Sequence, residues 1–311
     1  MIRVENVTRT YGELVAVNDI SFSIPRGQIV GLLGHNGAGK STTLKMLTGY
    51  LEPNSGSIVL NGIDIKKDRH GATSCVGYLP ENCPLYSEMT VIDYLGYIAE
   101  LRSLPEGQRL RQIKSVIART HLEEKACVPI ATLSKGYRQR VGIAQAIIHD
   151  PDILVLDEPT SGLDPSQIHE IRDLIKQLSK HATVILSTHI LQEVEAICNR
   201  VIIIMNGKIA KDASLEELTQ SNRLVLTVES NRDITSDISE KGKLTVSNVV
   251  RENGFSRYVL DVQGNPYEVA PAIAEKVIRN GCRLLELHPE YKDLESVFRE
   301  LSSHGGGRSH V

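Results

Sequence analysis

The stretch that decides the fold of this chain is Gly34-His35-Asn36-Gly37-Ala38-Gly39-Lys40-Ser41-Thr42. It fits the pattern G-x-x-x-x-G-K-[ST], in which glycines let backbone N–H groups wrap a chain of phosphates. The apolar run 28–33 before it is typical of a buried parallel strand, and Leu44 and Leu47 after it have helical spacing. The sequence therefore predicts a nucleoside triphosphate site, with Lys40 reaching the β- and γ-phosphates and Ser41 holding Mg²⁺.

A second apolar run, residues 153–156, ends in the two carboxylates Asp157 and Glu158. Acidic residues often end strands for purely structural reasons. Downstream of a phosphate loop, however, we expect Asp157 to reach Mg²⁺ through water and Glu158 to polarise the attacking water.

The composition is that of an ordinary globular protein. The 311 residues are 41% hydrophobic and 23% charged, and the net charge of −3 gives no basic field for nucleic acid. Five scattered cysteines without a C-x-x-C pair predict neither a zinc site nor a disulfide framework. Met1 leads directly into a strand-like segment without a signal peptide, and no apolar run approaches the roughly 20 residues that span a bilayer. We therefore expect a cytoplasmic protein whose membrane role, if any, comes through a partner.

The residue pattern changes three times along the chain. Residues 1–30 alternate apolar and polar positions, which predicts antiparallel strands, and Asn61-Gly62 predicts a hairpin turn. The pattern is helical from about 90 to 150, after which apolar strands alternate with helices and predict a parallel sheet. From about 220 the order becomes β-α-β-β-α-β plus a closing helix, a ferredoxin-like order, and the glycine-rich end is expected to be disordered.

Further motifs stand between and after the phosphate loop and the two carboxylates. Leu133-Ser134-Lys135-Gly136-Tyr137 opens a helix, Pro159-Thr160-Ser161-Gly162-Leu163-Asp164 follows the carboxylates, and Thr188-His189 follows the next strand. In this order and spacing, residues 1 to about 218 resemble the ATP-binding subunits of ABC transporters. The resemblance implies an α/β fold: a P-loop NTPase domain with a mixed sheet and a helical subdomain, followed here by a small α+β ferredoxin-like domain.

The resemblance assigns roles residue by residue. Tyr11 would stack on adenine, and Gly34–Thr42 is the Walker A loop. Glu81 stands at the Q-loop position, and Leu133–Tyr137 is the signature motif. Asp157 and Glu158 form Walker B, Asp164 belongs to the D-loop, and His189 is the switch histidine at the γ-phosphate. The implied catalytic groups are Glu158, His189 and Lys40, and the implied Mg²⁺ ligands are Ser41, Glu81 and Asp157. Without the resemblance, an ordinary aromatic residue at a strand end is the less favoured alternative for Tyr11, whereas a buried structural histidine is the usual interpretation of a residue such as His189.

The same resemblance implies how such a chain works. Ser134 and Gly136 of one subunit would complete the ATP site of another, so catalysis requires a head-to-tail dimer with two ATP molecules sandwiched inside. ATP binding closes the dimer, hydrolysis opens it, and a multi-spanning membrane permease receives the motion. The chain is then expected at the cytoplasmic face of the membrane, bound through that permease, and not on nucleic acid.

Two motifs depart from the common family pattern. Lys135 and Tyr137 replace Gly and Gln in the signature motif, although Ser134 and Gly136 remain. Glu81 replaces the usual Gln; a carboxylate there could still ligate Mg²⁺. Together with the C-terminal domain, these variants are most similar to the ATPases of ABC-2 exporters, such as those of gliding-motility, drug-resistance and copper-maturation systems.

In the family, the permease docks beside the Q-loop, which corresponds here to about residues 81–97. Tyr86, Met89, Tyr94 and Tyr97 could supply its anchors, because aromatic residues and Met concentrate in interface cores. An equally good interpretation is that Tyr94 and Tyr97 only pack the helical subdomain.

We therefore expect three segments: an ATPase domain at 1–218 with its helical subdomain at about 82–150, a ferredoxin-like domain at 219–302, and a disordered tail at 303–311. Two alternatives to the exporter subunit remain open at this point. A soluble ABC ATPase of ribosomes is disfavoured because such proteins usually carry two ATPase domains, and this chain has one phosphate loop. One acting in DNA repair is likewise disfavoured because such proteins insert long coiled coils between Walker A and Walker B, and only 117 positions separate Lys40 from Asp157. A catalytically silent module is disfavoured because Lys40, Glu158 and His189 are all present.

Overall fold

The computed structural model describes residues 1–230, 232–239, 244–252, 254–291 and 293–305. They form two compact units, Met1–Leu215 and Glu216–Ser303. The division follows Leu215, a few residues before the boundary expected at 218, because the short helix Leu215–Thr219 lies across that boundary.

The first unit holds ten strands and seven helices within its described residues. The strands are β1 (Ile2–Tyr11), β2 (Leu14–Ile24), β3 (Ile29–Leu33), β4 (Ser55–Leu60), β5 (Ile63–Asp64), β6 (Val76–Leu79), β7 (Ile153–Asp157), β8 (Thr183–Thr188), β9 (Arg200–Met205) and β10 (Lys208–Ser214). The helices are α1 (Lys40–Leu47), α2 (Arg69–Ser74), α3 (Val91–Leu101), α4 (Glu106–Arg119), α5 (Lys135–Ile147), α6 (Pro165–Leu178) and α7 (Leu191–Ile197), with 3₁₀ turns at Glu123–Lys125 and Ile130–Thr132. The helix α8 (Leu215–Thr219) follows.

A six-stranded sheet positions the predicted site residues. Its order is β10-β9-β3-β8-β7-β6, parallel throughout except for the antiparallel edge strand β10. The phosphate-loop strand β3 pairs with β8, and β8 pairs with β7, so that Leu33 lies opposite Thr188 and Asp157 opposite Ser187. Because carboxyl ends of parallel strands meet at one edge of a sheet, the residues that follow these three strands converge there.

The second sheet of this unit is antiparallel, as predicted for the first 30 residues, and has the order β2-β1-β4-β5. Apolar residues that alternate along β1, such as Ile2 and Val4, lie in one core cluster with Val30 and Leu32 of β3. The hairpin between β4 and β5 turns at Asn61 and Gly62, which both have positive φ, as a tight two-residue turn requires.

Between β6 and β7 the chain is helical, in the range expected for the helical subdomain. Leu95 of α3, Val116 of α4 and Val141 of α5 are fully buried, so each helix turns one apolar side inward. The Thr90 hydroxyl starts α3 by accepting the Asp93 N–H.

The second unit follows the predicted β-α-β-β-α-β order. Its elements are β11 (Gln220–Glu229), α9 (Thr235–Ile238), β12 (Leu244–Glu252), β13 (Phe255–Val262), α10 (Pro266–Arg279), β14 (Arg283–Tyr291) and α11 (Leu294–Gly305). The sheet is antiparallel with the order β12-β13-β11-β14, and Leu226, Tyr258 and Leu260 share its core with Ile273 and Val277 of α10.

The prediction of a disordered tail is wrong for residues 303–305, because α11 runs on to Gly305. The apolar spacing of Leu294, Val297, Phe298 and Leu301 extends this helix, and glycine is a common terminator. The rest of the predicted tail, 306–311, lies outside the described residues. Within the residues that the structure describes, helices long and apolar enough to cross a bilayer do not occur.

Candidate active site

A cavity of about 420 Å³ lies at the carboxyl edge of the six-stranded sheet. It is lined by Tyr11, Leu14, Ala16, His35, Asn36, Gly37, Gly39, Lys40, Ser41, Thr42, Glu81, Glu158, Ser161 and His189. The phosphate loop, the Q-loop position, one Walker B carboxylate and the switch histidine therefore meet in one place, although they are spread over 155 positions of the chain, from Gly34 to His189.

The phosphate loop requires glycine where the chain passes close to other backbone. A Cβ atom built on Gly34 would lie 2.4 Å from the carbonyl oxygen of Ile204. At Gly39, φ is +110° and a Cβ would lie 2.6 Å from the carbonyl oxygen of Ala16. Gly34 and Ala38 do not line the cavity in the described part of the chain; the carbonyl of Ala38 accepts the N–H of Gly207 at 3.0 Å and so fixes the base of the loop.

Lys40 begins α1 and is buried, with 6% of its surface exposed. Its Nζ donates to the carbonyl oxygens of Gly34 at 2.7 Å and His35 at 3.3 Å, and lies 3.9 Å from Oε1 of Glu158. Burial lowers the pKa of the Lys40 ammonium, while the nearby Glu158 carboxylate acts in the opposite direction. The ammonium is thus held over the loop, where it can move to a phosphate oxygen without leaving the site.

Glu158 and His189 form a close pair. Nδ1 of His189 lies 3.0 Å from both carboxylate oxygens of Glu158, and only 8% of Glu158 is exposed. Glu158 has φ +48°, a left-handed conformation that is unusual for a residue with a side chain. Its N–H is held by the carbonyl oxygen of Ser187 at 3.1 Å and the Ser187 hydroxyl at 3.2 Å.

The three predicted Mg²⁺ ligands differ in position. Ser41 and Glu81 line the cavity, whereas Asp157 is 3% exposed and its Oδ1 accepts the hydroxyl of Ser187. Hydroxyl and carboxylate oxygens are the donors that Mg²⁺ prefers, and a deep carboxylate is suited to reach the ion through water. This donor set fits the ion.

Besides Gly34 and Ala38, three residues predicted to bind nucleotide lie outside the cavity as described. Ser134 accepts the N–H of Tyr137 at the start of α5, and Asp164 accepts the N–H of Gln167 at the start of α6. These contacts lower the pKa of Asp164, because the N–H of Gln167 and the Ser166 hydroxyl favour its charged form. A Cβ on Gly136 would lie 2.7 Å from the Gln167 side chain. The signature motif is therefore packed against the start of α6.

Sequence reasoning missed three residues of the cavity: Leu14, Ala16 and Ser161. Leu14 is 66% exposed and Tyr11 43%, so the β1–β2 turn presents an apolar wall to solvent. The sequence signal for this wall was the apolar residue Leu14, three positions after Tyr11. The Arg9 guanidinium lies 5.0 Å from the centre of the Tyr11 ring, a cation–π contact.

Comparisons with known proteins agree with this geometry. A family model described as "ABC transporter" matches residues 17–161. The uncharacterized ABC transporter ATP-binding protein YxlF of Bacillus subtilis is 35% identical over 97% of this chain and 99% of its own length. The Nod factor export ATP-binding protein I of Ralstonia nicotianae is 39% identical over 70% of this chain and 69% of its own.

A solved structure also matches: the dimeric post-hydrolysis state of the ATP-binding cassette MJ0796 bound to ADP and Pi, at 26% identity and a TM-score of 0.63. The match covers 69% of this chain and 99% of the cassette. The fold, the phosphate loop and the full-length relative all agree. The chain therefore belongs to the family of ABC transporter ATP-binding proteins, which bind and hydrolyse ATP for membrane transport.

Proposed function

We propose that this chain powers an exporter as a head-to-tail dimer, in which Ser134 and Gly136 of one copy complete the ATP site of the other. The observation that carries this proposal is the composition of the cavity. It contains the phosphate loop and the Glu158–His189 pair, but the described lining lacks Ser134 and Gly136. Both residues lie at the start of α5, where free N–H groups and the helix dipole favour an anion.

Each group in the cavity has a task that follows from its chemistry. Glu158 accepts a proton from the attacking water, and His189 holds Glu158 through the 3.0 Å contact and approaches the γ-phosphate. When ATP binds, the Lys40 ammonium gives up its hydrogen bonds to the carbonyl oxygens of the loop and donates to phosphate oxygens instead. Tyr11 stacks on adenine. Ser41, Glu81 and Asp157 would hold Mg²⁺, which neutralises charge on the β- and γ-phosphates when bound.

We further propose that the permease docks beside α3, which places the chain at the cytoplasmic face of the membrane. The Tyr86 ring is 54% exposed and lies 6.1 Å from the ring of Tyr94 and 5.5 Å from that of Tyr97. Tyr94 is 3% exposed, so it packs the helical segment, whereas Tyr86 and Tyr97 offer exposed aromatic surface. Export as the direction of transport is supported by the Nod factor relative.

Mixing two defective variants tests the dimer. Lys40→Ala removes the phosphate contact of its own site, and Ser134→Glu places a negative charge where the partner's ATP would lie. Each variant alone should lose ATPase activity. In an equal mixture half of the pairs are mixed, and each mixed pair has one intact site of two, so about a quarter of wild-type activity should return. A mixture no more active than its separate components would contradict a shared site.

A further inference from the structure

Glu193 on α7 is a buried carboxylate that none of the roles above uses. Only 1% of it is exposed. Each of its two oxygens accepts one hydroxyl: Oε1 that of Thr160, and Oε2 that of Thr188 at 2.7 Å. Removing a carboxylate from water is costly unless hydrogen bonds replace the lost hydration, so this group remains buried because the two threonines satisfy it.

The two threonines belong to the two turns that carry the catalytic pair. Thr160 stands two residues after Glu158, and Thr188 stands directly before His189. The Thr188 hydroxyl also accepts the N–H of Ile190 at 3.1 Å, which closes the turn around His189. A single side chain therefore connects the turn after β7 with the turn after β8.

Both turns need such a connection. Glu158 has φ +48° and precedes Pro159, a backbone conformation that costs about 1–3 kcal/mol and persists only where the surroundings determine it. The His189 side chain is 48% exposed, so its 3.0 Å contact with Glu158 is not fixed by packing around the ring. The separation of the two turns then sets the geometry of the pair.

We propose that Glu193 is a positioning residue for ATP hydrolysis: through Thr160 and Thr188 it holds Glu158 and His189 at their working separation. Glu193 does not line the described cavity, so this role requires no contact with ATP or the attacking water. The proposal rests on the catalytic roles proposed above for Glu158 and His189.

The test compares Glu193→Met with Glu193→Gln in the full-length chain. Methionine has a similar volume and cannot bond to the threonines, whereas glutamine offers an oxygen to one hydroxyl and an amide group to the other. We expect Glu193→Met to lower kcat at least about ten-fold with the KM for ATP changed less than about two-fold, and Glu193→Gln to retain kcat within about three-fold. A wild-type kcat for Glu193→Met would overturn the proposal, as would equal losses in both variants.

Two further measurements distinguish positioning from general support of the fold. In a His189→Ala background, Glu193→Met should cost little additional kcat, because its effect passes through the pair; full additivity would contradict this. If Glu193→Met does not fold, Thr160→Val and Thr160→Ser replace it: the serine should keep kcat and the valine lose it. Full ATPase activity in Glu158→Gln would refute the proposed catalytic roles. Full activity in Glu193→Met, together with an inactive Glu158→Gln, would refute only the positioning role of Glu193.

Discussion

Single residues determine the shape of the phosphate loop, and Gly34 shows this through its close approach to other backbone. A Cβ at Gly34 would meet the backbone oxygen of Ile204 at 2.4 Å, and backbone cannot swing aside as a side chain does. We expect Gly34→Ala to lower the free energy of unfolding by about 2–3 kcal/mol and to weaken ATP binding, because Lys40 bonds to the Gly34 carbonyl.

The matched control is Gly107→Ala. Gly107 lies in α4, and a Cβ there would meet nothing within 4 Å, so alanine should stabilise the chain by about 0.5–1 kcal/mol. Calorimetry measures the stability of both variants, and ATP titration measures their affinity for ATP. Equal melting temperatures for the two would contradict the steric argument.

A second prediction at this scale concerns His149, which follows α5. Burial, with help from the charge of Arg102, lowers its pKa from 6.5 to about 4, although a contact of 3.1 Å from Nε2 to the Val76 carbonyl oxygen acts in the opposite direction. Between pH 6.5 and 4 the unfolded chain therefore binds a proton at this position that the folded chain does not. The neutral His149 therefore contributes fully to the free energy of unfolding above pH 6.5, and this contribution is lost as the pH falls from 6.5 towards 4.

We expect His149→Gln to show a weaker pH dependence of unfolding than the wild type, by about 1–2 kcal/mol between pH 7 and pH 5. Denaturant titrations of both proteins at several pH values measure the difference. Parallel stability curves over that range would contradict the assigned pKa.

At the scale of elements, the loop between β6 and α3 makes the exposed aromatic surface. Tyr86 is not in the ATP cavity as described, and its ring rests on Tyr94 and Tyr97. We expect Tyr86→Ala to abolish most transport by the assembled transporter while leaving basal ATPase activity within about two-fold, since interface anchors of this type cost about 2 kcal/mol or more when truncated.

The control for this prediction is Tyr50→Ala, since Tyr50 is 71% exposed and follows α1. It should leave both activities unchanged. Transport and ATP hydrolysis are measured in the same vesicles. Equal losses of both activities in Tyr86→Ala would show that Tyr86 supports the ATP site and not the permease contact.

Elements also show what the sequence could and could not predict. The phosphate loop was predictable because glycine spacing, the lysine and the flanking strand and helix are all local. The convergence of Glu158 and His189 agrees with the rule that the carboxyl ends of parallel strands meet at one edge of the sheet. The contact between Thr160 and Glu193 was not predictable, because it joins residues 33 positions apart and Glu193 belongs to none of the recognised motifs. The end of α11 was misjudged because glycine-rich composition masked a helix that runs to Gly305.

At the scale of the whole molecule, the two units have separate cores and different chemistry. The first carries every residue of the proposed ATP site. The second is held by its own apolar cluster and by ion pairs between neighbouring strands, such as Arg223 with Asp261 at 2.6 Å. Among the residues that the structure describes, groups of three or more His, Cys, Asp or Glu side chains placed to hold a metal ion do not occur.

We propose that this ATPase works on a membrane permease, and a single experiment tests that partnership. The most direct measurement is co-purification of tagged Glu158→Gln from washed membranes in the presence of ATP, with Lys40→Ala as the control that cannot hold ATP. Glu158→Gln should trap the closed dimer, since an amide cannot accept the proton of the attacking water. We predict that a multi-spanning membrane protein accompanies it at near-equal stoichiometry. Recovery of the chain only from the soluble fraction, or bound to ribosomes, would contradict the account.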